Sequence, residues 1–148
     1  MGFRYGCRRK GKGAIMKRFL TVWAGCLFFL TATLQAGETV LVRLVRASNV
    51  PGIDPAVQDV KQAMSDNFAF KGFSLQDQKT FTLPADTTFT LGEYSIKCQG
   101  TQRQLKIFVG QNKKLLVNTD VTLIDGKPLV VGGFPAQDGH NLIVFTSR

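Results

Sequence analysis

Cys98, His140 and Asp138 are the residues from which a nucleophile, a base and an orienting acid could be assembled. A thiol becomes a catalyst when an imidazole takes its proton and a carboxylate holds that imidazole in place. His140 is the only histidine of the chain and sits in Ala136-Gln137-Asp138-Gly139-His140. Spacing does not bring Cys98 to it. Cys98 falls in phase with Tyr94 and Ile96, an interior parity where a free cysteine behaves as a small hydrophobe. A dedicated zinc site needs three or four clustered His or Cys ligands. The aspartates at 54, 59, 66, 77, 86, 120, 125 and 138 stand singly among caps and turns, where Asp is favoured for local backbone hydrogen bonds. No phosphate-cradling loop, nucleophile elbow or metalloprotease signature is present. No catalytic, cofactor or metal residue is assigned, and the chain is read as non-enzymatic.

A second chemistry is recognition of negative charge. The outward parity of the middle strands carries Lys97, Lys106 and Phe108, and the adjoining turns carry Arg103, Lys113 and Lys114. Lysines beside an aromatic ring suit single-stranded nucleic acid, an anionic glycan or lipid headgroups. Lysine on exposed strands also keeps a sheet soluble and blocks edge pairing, so the pattern has a structural reading as well.

Positioning these residues falls to a β-rich chain. Thr39 to Arg46 (TVLVRLVR) is apolar on both faces, as in a central strand covered on two sides. Asp54 caps a helix that starts at Pro55, and Val57, Val60, Met64 and Phe68 give it an apolar stripe ending near Phe68 to Phe70. From Phe73 the period is two. Phe73, Leu75, Phe81 and Leu83 share one parity, and Pro84-Ala85-Asp86 reads as a turn. Tyr94, Ile96 and Cys98, then Leu105, Ile107 and Val109, alternate with polar neighbours. Asp125-Gly126 predicts a hairpin between Lys114 to Ile124 and Lys127 to Gly133. Leu142 to Phe145 forms a last apolar strand. The expected fold is α+β: an N-terminal strand, one helix, then a mostly antiparallel β-meander that could close as a sandwich.

Residues 1–36 read differently from the rest. Seven basic residues and no acids precede or enter Phe19 to Leu34 (FLTVWAGCLFFLTATL), the length of a secretory apolar core, which closes on Leu34-Gln35-Ala36. This is read as a signal peptide, or as a signal anchor if it is not cleaved. Met16 offers an alternative start, and Trp23-Ala24-Gly25-Cys26 superficially resembles a lipoprotein acylation site. The full chain carries 19 basic against 10 acidic side chains, whereas residues 37–148 carry 12 against 10. A concentrated positive field is thus absent from the second part, which argues against nucleic acid as a whole-domain partner. It also leaves Cys98 as the sole cysteine there, excluding an internal disulfide. Residues 37–148 are expected to form a single domain, large enough to bury well over half of its unfolded surface.

Residues 119–145 (TDVTLIDGKPLVVGGFPAQDGHNLIVF) resemble the late β-hairpin of the secretin family, the outer-membrane ring channels of secretion and pilus machines. A strand, an Asp-Gly turn, an apolar strand ending in Gly132-Gly133-Phe134, and a last hydrophobic strand follow in the same order. The chain is too short for that family's periplasmic modules and pore strands, so the resemblance implies an accessory rather than a channel. The whole chain also resembles small exported bacterial proteins with a leader, a first strand reading V-x-V-R-L-V, a helix and a meander. Together these imply an exported, periplasmic or envelope-associated module, membrane-bound only through an uncleaved leader. Its expected partner is an envelope protein engaged by strand addition. The alternative is an anionic-polymer-binding domain using the Lys97, Lys106 and Phe108 face.

Overall fold

The computed structural model describes residues 37–148; the leader reading of residues 1–36 lies outside the described residues. The domain is mostly β, with antiparallel sheets and one short helix. The first strand, β1 (Glu38–Ser48), is followed by the two-residue β2 (Gly52–Ile53), a 3-10 helix at Pro55–Val60 and α1 (Lys61–Asn67). Seven strands complete it: β3 (Gly72–Leu83), β4 (Ala85–Leu91), β5 (Tyr94–Thr101), β6 (Gln104–Gln111), β7 (Lys114–Val121), β8 (Leu129–Ala136) and β9 (Gly139–Ser147). They form a five-stranded sheet in the order β2-β3-β1-β9-β8 and a four-stranded sheet in the order β4-β5-β6-β7.

The two sheets enclose one core and the helical segment closes a second. Val40, Val42 and Leu44 of β1 pack with Ile96, Cys98, Leu105, Ile107, Val109, Ile143 and Phe145 between the sheets. Val45 and Ala47 face the other way, against Val57, Val60, Met64, Phe73, Leu142 and Val144. β1 therefore has no polar face over its middle, which is why its sequence lacks alternation.

The meander expected after the helix is divided between the sheets. The chain leaves β3, turns a corner at Pro84 and enters β4 in the opposite sheet, so Pro84-Ala85-Asp86 is a crossing and not a hairpin turn. The Asp125-Gly126 turn is a second crossing. Gly126 has a φ of 70°, and Ile124 and Lys127 form an isolated bridge, but β7 and β8 lie in different sheets. Asp125 ties this turn to both sheets: its Oδ1 accepts from Gln102 Nε2 at 2.7 Å and from Ser147 Oγ at 2.8 Å.

Two further expectations change in detail. The helix opens as a 3-10 turn because Val57 and Val60, three apart, both face the core, and becomes α-helical for the four-residue step to Met64. It ends at Asn67, so Phe68 lies outside it. Asp54 does cap it, accepting from Ala56 N at 2.9 Å, and its other oxygen accepts from Leu75 N of β3 at 3.3 Å. Phe73 and Leu75 do not share a face with Phe81 and Leu83. The β1–β3 register pairs Val45 with Leu75 and Leu44 with Asp77, leaving Gln76 as a bulge that reverses the parity. Phe73 and Leu75 pack under the helix, whereas Phe81 and Leu83 pack between the sheets.

Candidate functional site

The outer face of the four-stranded sheet is built by cross-strand rows. Register places Thr88, Lys97, Phe108 and Asn118 side by side on β4, β5, β6 and β7. The next row toward the β6–β7 turn is Thr90, Ser95, Gly110 and Leu115. Gly110 leaves this row without a side chain in its middle, and a groove of about 370 Å³ opens there. Its lining includes Ser95, Lys97, Phe108, Lys113, Lys114 and Leu115, with Glu93 at one end. A Cβ at Gly110 would lie 3.3 Å from the Lys114 carbonyl oxygen, so anything beyond alanine would project into the groove. The β6–β7 turn that presents the two lysines is tight: Asn112 and Lys113 take φ values of 51° and 63°, the primed hairpin geometry that sheet twist favours.

Four of the six residues nominated for anion recognition thus meet in one groove: Lys97, Phe108, Lys113 and Lys114. The other two do not. Lys106 lies one row away beside Asp120, with Nζ 4.0 Å from its Oδ1. Arg103 occupies the β5–β6 turn at the opposite end of the strands, where its carbonyl accepts from Thr122 Oγ1 at 2.8 Å.

Cys98 and His140 are far apart in role and place. Cys98 is fully buried between the sheets, and burial pushes its thiol up to about 12. His140 shares the helix-side face of β9 and β1 with Ala47, its ring centroid 5.1 Å from that of Phe70. The five-stranded sheet stands between them. Among the described residues, no three His, Cys, Asp or Glu side chains cluster closely enough to hold one metal ion.

One polar cluster escaped the sequence reading. Asn141 is 1% exposed, at the sandwich end near Tyr94. Its Oδ1 accepts from Arg46 Nε at 3.2 Å, and its Nδ2 donates to Glu93 Oε1 at 3.2 Å and to Tyr94 Oη at 3.0 Å. Burial of the Tyr94 phenol raises its pKa, a shift the Asn141 contact opposes. The signal was present: Asn141 is in phase with Ile143 and Phe145, and a polar residue on an interior parity must find partners.

Comparison with family models, with curated proteins and with solved structures gave no match.

Proposed function

We propose that this domain is an exported, non-catalytic binding module that holds a segment of an anionic polymer against the outer face of β4 to β7. The observation that carries this reading is that Lys97, Lys113, Lys114 and Phe108 line one groove, with Lys97 beside Phe108 by register and Gly110 leaving the next row open. Three cations beside one half-buried ring offer charge and an apolar stacking surface together. The groove is local, so it is compatible with a nearly balanced charge over residues 37–148. Retention on an immobilised polyanion tests it. For three lysine contacts the logarithm of affinity should fall with the logarithm of salt with a slope of about −2. Lys97→Glu should abolish retention, and Gly110→Val should weaken it by filling the groove without changing charge. Lys106→Ala should leave it unchanged. A flat salt dependence, or equal retention of Lys97→Glu, would reject the reading.

A second reading, assembly with an envelope protein by strand addition, is favoured by one edge. β4 (ADTTFTL) pairs with β5 from Ala85 to Leu91 without a register shift and carries no lysine, proline or bulge on its run. Of the other edges, β8 is interrupted at Gly132–Gly133 and Pro135, β2 is two residues long, and β7 opens on Lys114 and shifts register against β6 at Val109/Gly110. β4 is therefore the least protected edge. The signal-like sequence of residues 1–36 points to the same setting: periplasmic or secreted, and membrane-anchored only if the leader is retained. A proline at a β4 residue whose N–H points away from β5 should abolish such a partner's binding and leave polyanion retention intact.

A further inference from the structure

Glu93 and Gln111 each line two depressions. On one side is the lysine groove; on the other, at the end of the sandwich, lies a second depression of about 460 Å³ lined by Arg46, Glu93, Gln111, Pro135, Ala136 and Gln137. The two are separated only by this Glu93–Gln111 ridge. Arg46 is the cation of the second depression. Its Nε is bound by the buried Asn141, and its two terminal nitrogens make no hydrogen bond to the described residues. Glu93 makes no ion pair with it within 4.0 Å. Among the described residues the ion pairs within 4.0 Å are Arg43 with Asp59 and Lys106 with Asp120. The same Asn141 amide holds Arg46 through its oxygen and Glu93 through its nitrogen, bracing both charges without pairing them.

We propose that Arg46 is a second subsite for the ligand of the lysine groove, and that this ligand is an acidic glycan. The inference rests on the groove reading above. A chain leaving the lysines must cross Glu93 and Gln111 before it reaches Arg46. A polymer with a negative charge on every unit, such as a nucleic acid strand, would set one of those charges against Glu93. A glycan with carboxylates on alternate sugars presents hydroxyl groups there, which donate to the Glu93 carboxylate and to the Gln111 amide oxygen. Its next carboxylate then meets the planar fork of Arg46, which takes such a group through two parallel hydrogen bonds. Asn141 is a positioning residue: by fixing Nε it sets the plane of the guanidinium and reduces the ordering cost of binding.

Hyaluronan oligosaccharides, which carry one carboxylate per disaccharide, test this on the intact protein by calorimetric titration. On this proposal a disaccharide engages the lysines alone, and a hexasaccharide is the longer probe that can also engage Arg46. The hexasaccharide should bind about tenfold more tightly, what one charge-assisted pair contributes. Arg46→Gln should reduce the hexasaccharide to the affinity of the disaccharide and leave disaccharide binding unchanged, and Asn141→Ala should weaken the hexasaccharide more than the disaccharide. Lys97→Glu should weaken both. If Arg46→Gln leaves the hexasaccharide unaffected, or weakens both lengths equally, the second subsite is wrong while the groove stands. If an oligothymidylate of matched length binds more tightly than the hexasaccharide, the glycan assignment is wrong. If neither glycan nor oligothymidylate binds, and Lys97→Glu changes nothing, the groove reading itself fails.

Discussion

Arg43 of β1 grips Asp59 of the 3-10 helix with both ends of its guanidinium, Nη1 to Oδ1 at 2.7 Å and Nη2 to Oδ2 at 2.9 Å. Arg43 is 3% exposed; the same two nitrogens also reach the Ala56 carbonyl at 2.9 Å (Nη1) and Thr146 Oγ1 at 3.3 Å (Nη2), while its Nε is buried without a partner among the described residues. The pair fastens the helical segment to the sheet. Asp59→Ala leaves a buried cation short of its counter-charge and should cost about 2 kcal/mol in urea denaturation, below the usual figure for fully buried pairs because Asp59 is half exposed. The Arg43 guanidinium holds the Asp59 carboxyl below the usual aspartate range. Its contribution is therefore complete above the unfolded pKa of about 3.9 and is lost as pH falls through the lower folded value. The stability difference between the wild type and Asp59→Asn should be constant from neutrality to about pH 5 and shrink in stronger acid.

Glu38 shows the opposite sign. The neighbouring Asp125 carboxyl raises the Glu38 pKa, and the same proximity, together with Ser147, lowers that of Asp125. A raised folded pKa contributes stability that is fully present below the ordinary glutamate value of about 4.3 and lost as pH rises through the elevated one. Glu38→Gln should flatten this part of the stability profile. Carboxyl NMR should place the Glu38 midpoint above the usual glutamate range and move it down in Asp125→Asn.

Deletion of Gln76 tests the bulge. Without the extra residue, either Phe73 and Leu75 or Phe81 and Leu83 must point to the wrong side of the sheet. The expected cost is about 3 kcal/mol or more, seen as loss of a cooperative thermal transition. An unchanged midpoint would show that the register absorbs the deletion elsewhere.

Cys98 should be inert in the native protein. Its thiol is buried in the inter-sheet core with its pKa pushed up to about 12, so almost no thiolate is present at neutral pH. Labelling by a thiol reagent should be negligible in buffer and complete in denaturing urea. Cys98→Ala should cost about 1 kcal/mol from lost packing and leave polyanion retention unchanged.

Much of the fold could be read from the chain because period and burial agree locally. Ile96 and Cys98, or Leu105, Ile107 and Val109, alternate with polar neighbours and all point into the core. The helix cap at Asp54 was equally plain, since a carboxylate before proline has few other roles. What escaped were facts about pairing across long separations. Nothing near Gln76 announces a bulge, because the bulge is defined against β1, some thirty residues earlier. Asp125-Gly126 has the chemistry of a hairpin turn, but its side chain is spoken for by Gln102 and Ser147. The groove was partly legible for the same reason. Lys97 and Phe108 could be placed on one face by alternation, whereas the ion pair that draws Lys106 aside and the opposite-end position of Arg103 depend on register.

β1 lies between β3 and β9, and Thr39 and Arg148 exchange backbone hydrogen bonds in both directions, at 3.3 and 2.9 Å. During synthesis the central ribbon of the larger sheet consequently waits for its second neighbour until about a hundred further residues have emerged. A nascent chain stalled before β9 should remain protease-sensitive, and release should be followed by slow, all-or-none closure typical of distant pairings. Closure of the larger sheet is in that sense timed by the emergence of β9.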